Sequence, residues 1–595
     1  MQNFTLNDIT VTGGFLGGRL ELNHISSIPS VYEQFKRTGR FDAIKCEPVE
    51  GMHIFWDSDV YKWLESAAYL LARVDDAKIR AWYDSAVDDI VSHQRADGYF
   101  NSYYMTKEPD RIFTDRYCHE LYCAGHLFEA AAASAKYLGD ERLLGVSARY
   151  ADYIRERFMV RRDTAFVTPG HEEIELGLWK LYELTAEPRY KEMAEFFLTE
   201  RGRHTEERDP KAAGYNQSHK TIYEQTTAVG HSVRALYLYI AMADMARIDR
   251  DERLKSAVET LYNDIVSKRM YITGGVGSVY EGERFAADYF LPNGRAYSET
   301  CASIALMMFC DRMIRLTGEK KYADTLERAF YNCVLAGVSL DGDKFFYVNP
   351  LEVRMSDLRD SDSTSFPMSV PLAERVKVFS CSCCPPNLTR VIEQFPTYAF
   401  YRDDSTLAVE QFVDASLRSD IADVEMKTDF PRGGRVSVRV DSHGKAITLK
   451  VRLPDWCGEQ FANERDGYLI YDGVFSGETI DIDFKPTLRR IYPNPNIEAD
   501  FGKVCFSCGP MVLCAEGVDN RTLAGVSVGD LSAAELTFTD DAYVLRARVP
   551  TTVRTADALY STTPATAEPT TLELIPYFAH ANRGETDMKV WFVED

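Results

Sequence analysis

The chain has 595 residues, too many for one hydrophobic core, and its 45% hydrophobic and 27% charged content is that of an ordinary globular protein. Its 91 acidic against 68 basic residues give a formal net charge of -23. So acidic a surface repels nucleic acid and anionic membrane, which excludes both as expected partners and is compatible with a neutral ligand such as a sugar.

The opening stretch MQNFTLNDITVTGG has neither a basic n-region nor an apolar h-region, and no run of about 18 apolar residues occurs anywhere. Neither a secretory signal nor a membrane span is therefore expected. Thirteen cysteines in such a chain point to a reducing, cytoplasmic setting, with free or metal-bound thiols rather than a disulfide framework. Phe4 to Gly17 mixes Thr, Val, Ile and Phe with glycine and predicts a strand or two. From Asp57 the pattern changes. Val60, Trp63, Leu64, Ala67, Ala68 and Leu71 recur at i, i+3, i+4, i+7 spacing, which predicts an amphipathic helix with Asp57, Ser58 and Asp59 as cap and first-turn acids.

Helices then recur to about residue 340. Four connections look alike: Tyr137-Leu-Gly-Asp-Glu-Arg-Leu, Leu184-Thr-Ala-Glu-Pro-Arg-Tyr, Ala246-Arg-Ile-Asp-Arg-Asp-Glu-Arg-Leu and Leu316-Thr-Gly-Glu-Lys-Lys-Tyr. Each ends one helix, turns over polar residues and starts the next on an apolar anchor. Repeated helical hairpins make a solenoid or a closed toroid. No terminal capping repeats are evident, and Gly- and aromatic-rich loops at Asp97 to Tyr104 and Tyr271 to Ser278 suit one mouth of a toroid, so closure is expected. Past about Tyr398 the apolar period falls to two, as in Val436, Val438, Val440 and Ile447, Leu449, Val451, which predicts antiparallel β-sandwiches. The expected division is 1–16 as strands joining a β domain, 17–397 as the helical catalytic domain, and 398–500 and 501–595 as β-sandwiches.

Nine of the eleven histidines precede residue 232, and His126, His171 and His231 each follow a glycine. On separate helical hairpins they could converge at the toroid mouth as partners for hydroxyls, although a lone helical histidine is more often structural. Glu299 and Cys301, two apart in SETCA, project the same way in extended chain. In FSCSCCPPNLTR, Phe379 to Arg390, three cysteines occupy four positions ahead of Pro385 and Pro386. The prolines fix φ and remove two amide donors, so no helix or central strand is expected through this point and the thiols should sit on a stiff irregular stretch. Dense thiols there suit zinc or a nucleophilic thiolate, and Glu299, Cys301, Cys383 and Cys384 together supply enough donors for a tetrahedral zinc. A second CxxC, Cys505 to Cys508, lies in strand-like sequence and reads as sheet packing.

SETCA at Ser298 to Ala302 together with CSCCPPN at Cys381 to Asn387 resembles glycoside hydrolase family 127, whose type activity is β-L-arabinofuranosidase. DSDVYKWLE from Asp57, CAGHL from Cys123, ITGGVGS from Ile272 and GERF from Gly282 support it. The resemblance is distinctive from about Asp57 to Asn387 and looser through the β region, where the family often reads Arg-Gly-Pro and this chain has Cys508-Gly-Pro. It implies an (α/α)6 barrel followed by β-sandwiches, and a homodimer through the β domains. It implies zinc held by Glu299, Cys301, Cys383 and Cys384, Cys383 as nucleophile, Glu283 as general acid/base, and His126, His171, His231 and Tyr347 at the sugar. A rival assignment makes Glu299 the nucleophile and the metal structural. Three other readings compete: a hydrolase of the same family acting on another plant-derived sugar, a non-catalytic carbohydrate-binding protein with structural zinc, and a toroid epimerase or lyase using the histidines.

Overall fold

The computed structural model describes residues 1–203, 210–359 and 372–595. Among them are twelve helices of ten residues or more. They are α1 Ile28–Arg37, α2 Trp56–Arg73, α3 Ala77–His93, α4 Glu120–Ala133, α5 Arg142–Arg155, α6 Ile174–Thr185, α7 Pro188–Glu200, α8 Ser232–Asp249, α9 Glu252–Lys268, α10 Thr300–Thr317, α11 Lys320–Ala329 and α12 Cys384–Gln394. The even-numbered helices pack each on the next, and α12 returns onto α2, closing a ring. Each odd-numbered helix packs outside the ring against the even-numbered helix that precedes it, or for α1 against α2 and α12. The helical part is thus an (α/α)6 toroid.

The two layers differ in burial. Outer α11 buries one stripe, with Tyr322, Ala323, Leu326 and Ala329 inside. Inner α2 is buried from Trp56 to Leu71 on every face, Lys62 and Glu65 included. The expectation of an amphipathic α2 is therefore corrected: a helix surrounded by ring neighbours, outer helices and ring interior has no solvent face. Asp57 and Asp59 do lie in its first turn as expected, but the N-cap is Phe55. Asp57 instead accepts from the Ser102 amide at 2.7 Å, and Asp59 pairs with Arg40 at 2.8 Å.

The four similar connections share one device, a helix end followed by a left-handed residue: Gly139, Ala186, Arg250 and Gly318. Elsewhere glycine allows close approach. A Cβ on Gly125 would stand 2.6 Å from the Glu173 backbone, and one on Gly177 2.5 Å from the Gly125 carbonyl oxygen, so α4 and the start of α6 meet backbone to backbone.

Two β sheets follow. The first has nine strands, organised on the 18-residue strand Arg435–Arg452, whose Val436, Val438 and Val440 point inward. Strands Gln2–Asn3 and Ile9–Val11 pair at opposite ends of its main path. The second sheet has ten strands and recruits Glu352–Val353 from the helical region. Pairing is antiparallel except for Thr406–Val409 on Arg435–Arg452 and Val526–Val528 on Phe592–Glu594. Buried arginines bind these layers to the toroid. Arg452 reaches Glu327 of α11 at 2.5 Å, and Arg375 donates to the carbonyls of Ala336 and His580 at 2.9 and 2.7 Å.

Candidate active site

Every inner helix turns its N-terminal end toward one cavity of about 130 Å³. Phe55 and Ser58 come from the start of α2, His119 and Tyr122 from α4, His171 from just ahead of α6, and His231 and Tyr237 from α8. Glu299 and Cys301 come from α10, and Cys381 and Cys383 from the approach to α12. Six converging helix N-termini present partial positive charge, so the site favours anionic side chains.

The prolines behave differently from the sequence expectation. Helix α12 begins at Cys384 and runs through Pro385 and Pro386. The first four amides of a helix have no partner within it, so proline loses nothing there and its fixed φ suits the first turn. Only Cys381 and Cys383 lie on irregular chain. Arg40 fastens that stretch, donating to the Ser380 carbonyl at 3.0 Å while paired with buried Asp59.

Glu299, Cys301, Cys383 and Cys384 are brought together, with one ligand atom of each within 4.8 Å of the others. The Cys301–Cys383 and Cys383–Cys384 sulfurs are 3.7 and 3.9 Å apart, and Glu299 Oε1 lies 3.8 Å from both Cys383 and Cys384. A tetrahedral ion with metal–sulfur bonds of about 2.3 Å has sulfur–sulfur edges of about 3.8 Å. The Cys301–Cys384 contact, 3.2 Å, is shorter than that edge. Buried Glu299 Oε2 has no hydrogen-bond partner among the described residues. Burial pushes Glu299, Cys301 and Cys384 well above their ordinary pKa values, whereas hydrogen bonds from Cys301, Cys381 and Cys384 hold Cys383 well below its own. Four such acids cannot all ionise side by side without a cation between them, so the donor set fits a metal ion.

Glu283 stands across the cavity on a turn with φ of +53°, a strained setting for a non-glycine residue. His231, the N-cap of α8, accepts the Val233 amide at Nδ1, leaving its Nε2 proton for Glu283 Oε2 at 2.6 Å. Tyr297 donates to Glu283 Oε1 at 2.6 Å. Burial raises the Glu283 carboxyl, but the bonds from His231 and Tyr297 outweigh it and hold the group below its ordinary value. The Tyr347 hydroxyl is 3.4 Å from both Glu283 Oε1 and the Cys383 sulfur, so carboxylate and sulfur are at most twice that distance apart.

His171 and His231 line the cavity, but His126 does not. It lies seven residues into α4, about 10 Å down the helix from the mouth. There it is fully buried, 3.0 Å from Glu173 and 3.3 Å from Glu129. These three could hold a metal by distance alone, but Lys180 at 2.5 Å and Arg390 at 2.6 Å already neutralise Glu129. The histidine that lines the cavity from α4 is His119, which the sequence reading passed over. Its signal is position, since it directly precedes the helix as His231 precedes α8. His119 and His171 each place Nδ1 on a backbone carbonyl, at 2.6 and 2.9 Å, which leaves Nε2 as an acceptor for a hydroxyl. Burial keeps both neutral, moving His119 down to about 3.

Family comparisons agree with this architecture. Residues 8–397 match the β-L-arabinofuranosidase GH127 catalytic domain, 406–469 the GH127 middle domain and 488–593 the family's C-terminal domain. The chain is 34% identical to a non-reducing end β-L-arabinofuranosidase of Bifidobacterium longum, over 90% of this chain and 89% of that one. A crystal structure of a GH127 β-L-arabinofuranosidase from Geobacillus stearothermophilus T6 superposes with a TM-score of 0.93 at 35% identity, covering 99% of this chain and 100% of that one. A second GH127 β-arabinofuranosidase structure gives 0.89 at 30% identity, covering 100% and 98%. With a matching catalytic model over most of its length and relatives spanning nearly all of it, the chain belongs to glycoside hydrolase family 127 and is a glycoside hydrolase.

Proposed function

We propose that the protein is a retaining β-L-arabinofuranosidase that uses Cys383 as nucleophile and Glu283 as acid/base. The observation that carries this is the pairing of an open sulfur with a hydrogen-bonded carboxylate across one small cavity. Cys383 is partly exposed to the cavity, whereas Cys384 and Cys301 are 0% and 3% exposed. Glu299, Cys301, Cys383 and Cys384 would hold zinc, whose charge keeps thiols ionised at neutral pH.

The chain's own groups then divide the work. The Cys383 sulfur attacks the anomeric carbon and forms a C–S bond as the glycosidic C–O bond breaks. Glu283 gives its proton to the departing oxygen. It next takes a proton from water, whose oxygen displaces the sulfur and regenerates the thiolate. Tyr347, touching both groups, orients them. His119 and His171 accept sugar hydroxyls, with His119 taking the place that the sequence reading gave to His126. His231 and Tyr297 stabilise the Glu283 carboxylate between the two proton transfers.

Glu299 is the rival nucleophile, because one of its oxygens lies within 4.8 Å of one on Glu283. Its 1% exposure disfavours it. An aryl β-L-arabinofuranoside separates the two. Cys383→Ser should lose activity on the order of 10³-fold, and a slow substrate should leave its sugar on the peptide containing Cys383 in a mass spectrum. Full activity in Cys383→Ser, or sugar on Glu299, would overturn the assignment. Release of the inverted anomer would remove the covalent mechanism altogether.

A further inference from the structure

A second groove, of about 300 Å³, lies where the toroid meets the C-terminal sheet. Tyr271 and Tyr289 line it from the helical side, Tyr492 and Trp591 from the β side, with Asn494 and Asp500 between them. We propose that this groove binds a neutral glycan chain beside the catalytic cavity. The identification of the ligand as carbohydrate rests on the glycosidase reading.

The lining is aromatic and polar at once, which suits a molecule with an apolar C–H face and a hydroxyl edge. Tyr492 is 60% exposed and its hydroxyl donates to Glu594 at 3.1 Å, so its ring is open to a ligand. Trp591 is only 5% exposed, yet its indole N–H has no partner among the described residues. That nitrogen is itself closed to solvent, so Trp591 serves the groove as wall and not as a donor. The two cations of the groove are already neutralised, Lys268 by Asp288 at 3.0 Å and Arg328 by Asp455 at 2.9 Å. Asp500 is held by Asn293 at 2.6 Å. The site therefore lacks the free positive charge that an acidic polymer would need.

The groove is also tied to the catalytic centre. Tyr289 sits six residues after Glu283 in the same loop, so the two are at most about 22 Å apart, within reach of a short oligosaccharide. Tyr289 adopts a φ of +64°, unusual for a bulky residue, and its amide is held on the Lys268 carbonyl at 3.0 Å.

The test uses the full chain carrying Glu283→Gln, run in native gels cast with soluble arabinan, xylan or polygalacturonate. Retardation by at least one neutral polysaccharide is expected, falling about fivefold or more when Tyr492→Ala is added. Tyr492→Ala in the otherwise unaltered enzyme should leave turnover of the small aryl glycoside within about twofold. Equal retardation with and without Tyr492→Ala, no retardation by either neutral polysaccharide, or a preference for polygalacturonate would each overturn the proposal. Failure to turn over the aryl glycoside would remove the arabinofuranosidase reading and leave a Tyr492-dependent retardation standing.

Discussion

Two groups of three cysteines in this molecule are opposite in character. Cys505, Cys508 and Cys514 lie in strands Lys503–Cys508 and Met511–Glu516, each 0% exposed. Cys505 and Cys508 are three apart on a strand, so they face opposite sides of the sheet and cannot share an ion. Their cross-strand neighbours are apolar: Ile491 for Cys505, Leu488 and Met511 for Cys508, Ile575 for Cys514. Burial pushes the Cys508 thiol up to about 12, against the opposing charge of Arg489. Cys301, Cys383 and Cys384 come instead from two helix N-termini and converge with a carboxylate. Thiol density does not make a reactive site. Thiols that converge with a carboxylate, and hydrogen bonds between sulfurs that favour one thiolate, make a candidate.

That contrast can be broken or sharpened by substitution. The largest effect is expected on metal content. Cys301→Ala should lower bound zinc from one ion per chain toward none, read by elemental analysis, and lower Tm with it, whereas Cys505→Ala should leave the stoichiometry unchanged. Equal loss from both would erase the distinction. Next in size is Arg40→Ala, which strands the fully buried Asp59 and frees the chain ahead of Cys381. A cost of about 3–5 kcal/mol in unfolding free energy is expected, together with reduced kcat, by denaturant titration and steady-state assay.

A subtler effect concerns protons. His231→Ala removes the bond that favours the Glu283 carboxylate, leaving burial to raise the group. The protonated acid then persists to higher pH, so the basic limb of the kcat/KM profile should move upward. An unmoved or lowered limb would contradict the acid role. The smallest expected change is that of Cys508→Ala, which removes one buried sulfur from the sheet. About 1 kcal/mol of stability should be lost, with kcat unchanged.

The four residues of the candidate metal site were readable from sequence because metal-binding chemistry demands scarce residue types, so SETCA and CSCCPPN stand out although 82 residues separate Cys301 from Cys383. Periodicity likewise exposed the helical hairpins and the later strands. What misled was local context without depth. Pro385 and Pro386 looked like breakers because nothing nearby says that a helix begins one residue earlier. Asp57 and Asp59 looked like caps because Ser102 and Arg40, which they bind, lie 45 and 19 residues away. His126 looked like a ligand because its glycine resembles those before His171 and His231. That glycine, Gly125, serves helix contact instead, and the residue at the mouth is His119.

Helix α12 both closes the ring and opens with Cys384, directly after Cys383. During synthesis the amino-terminal part emerges first, so five staves and the Cys301 thiol exist before the sixth stave leaves the ribosome. An unfinished chain of this kind lacks two of the four donors of the candidate metal site, Cys383 and Cys384. Completion of the ring and assembly of the candidate metal site are therefore one event.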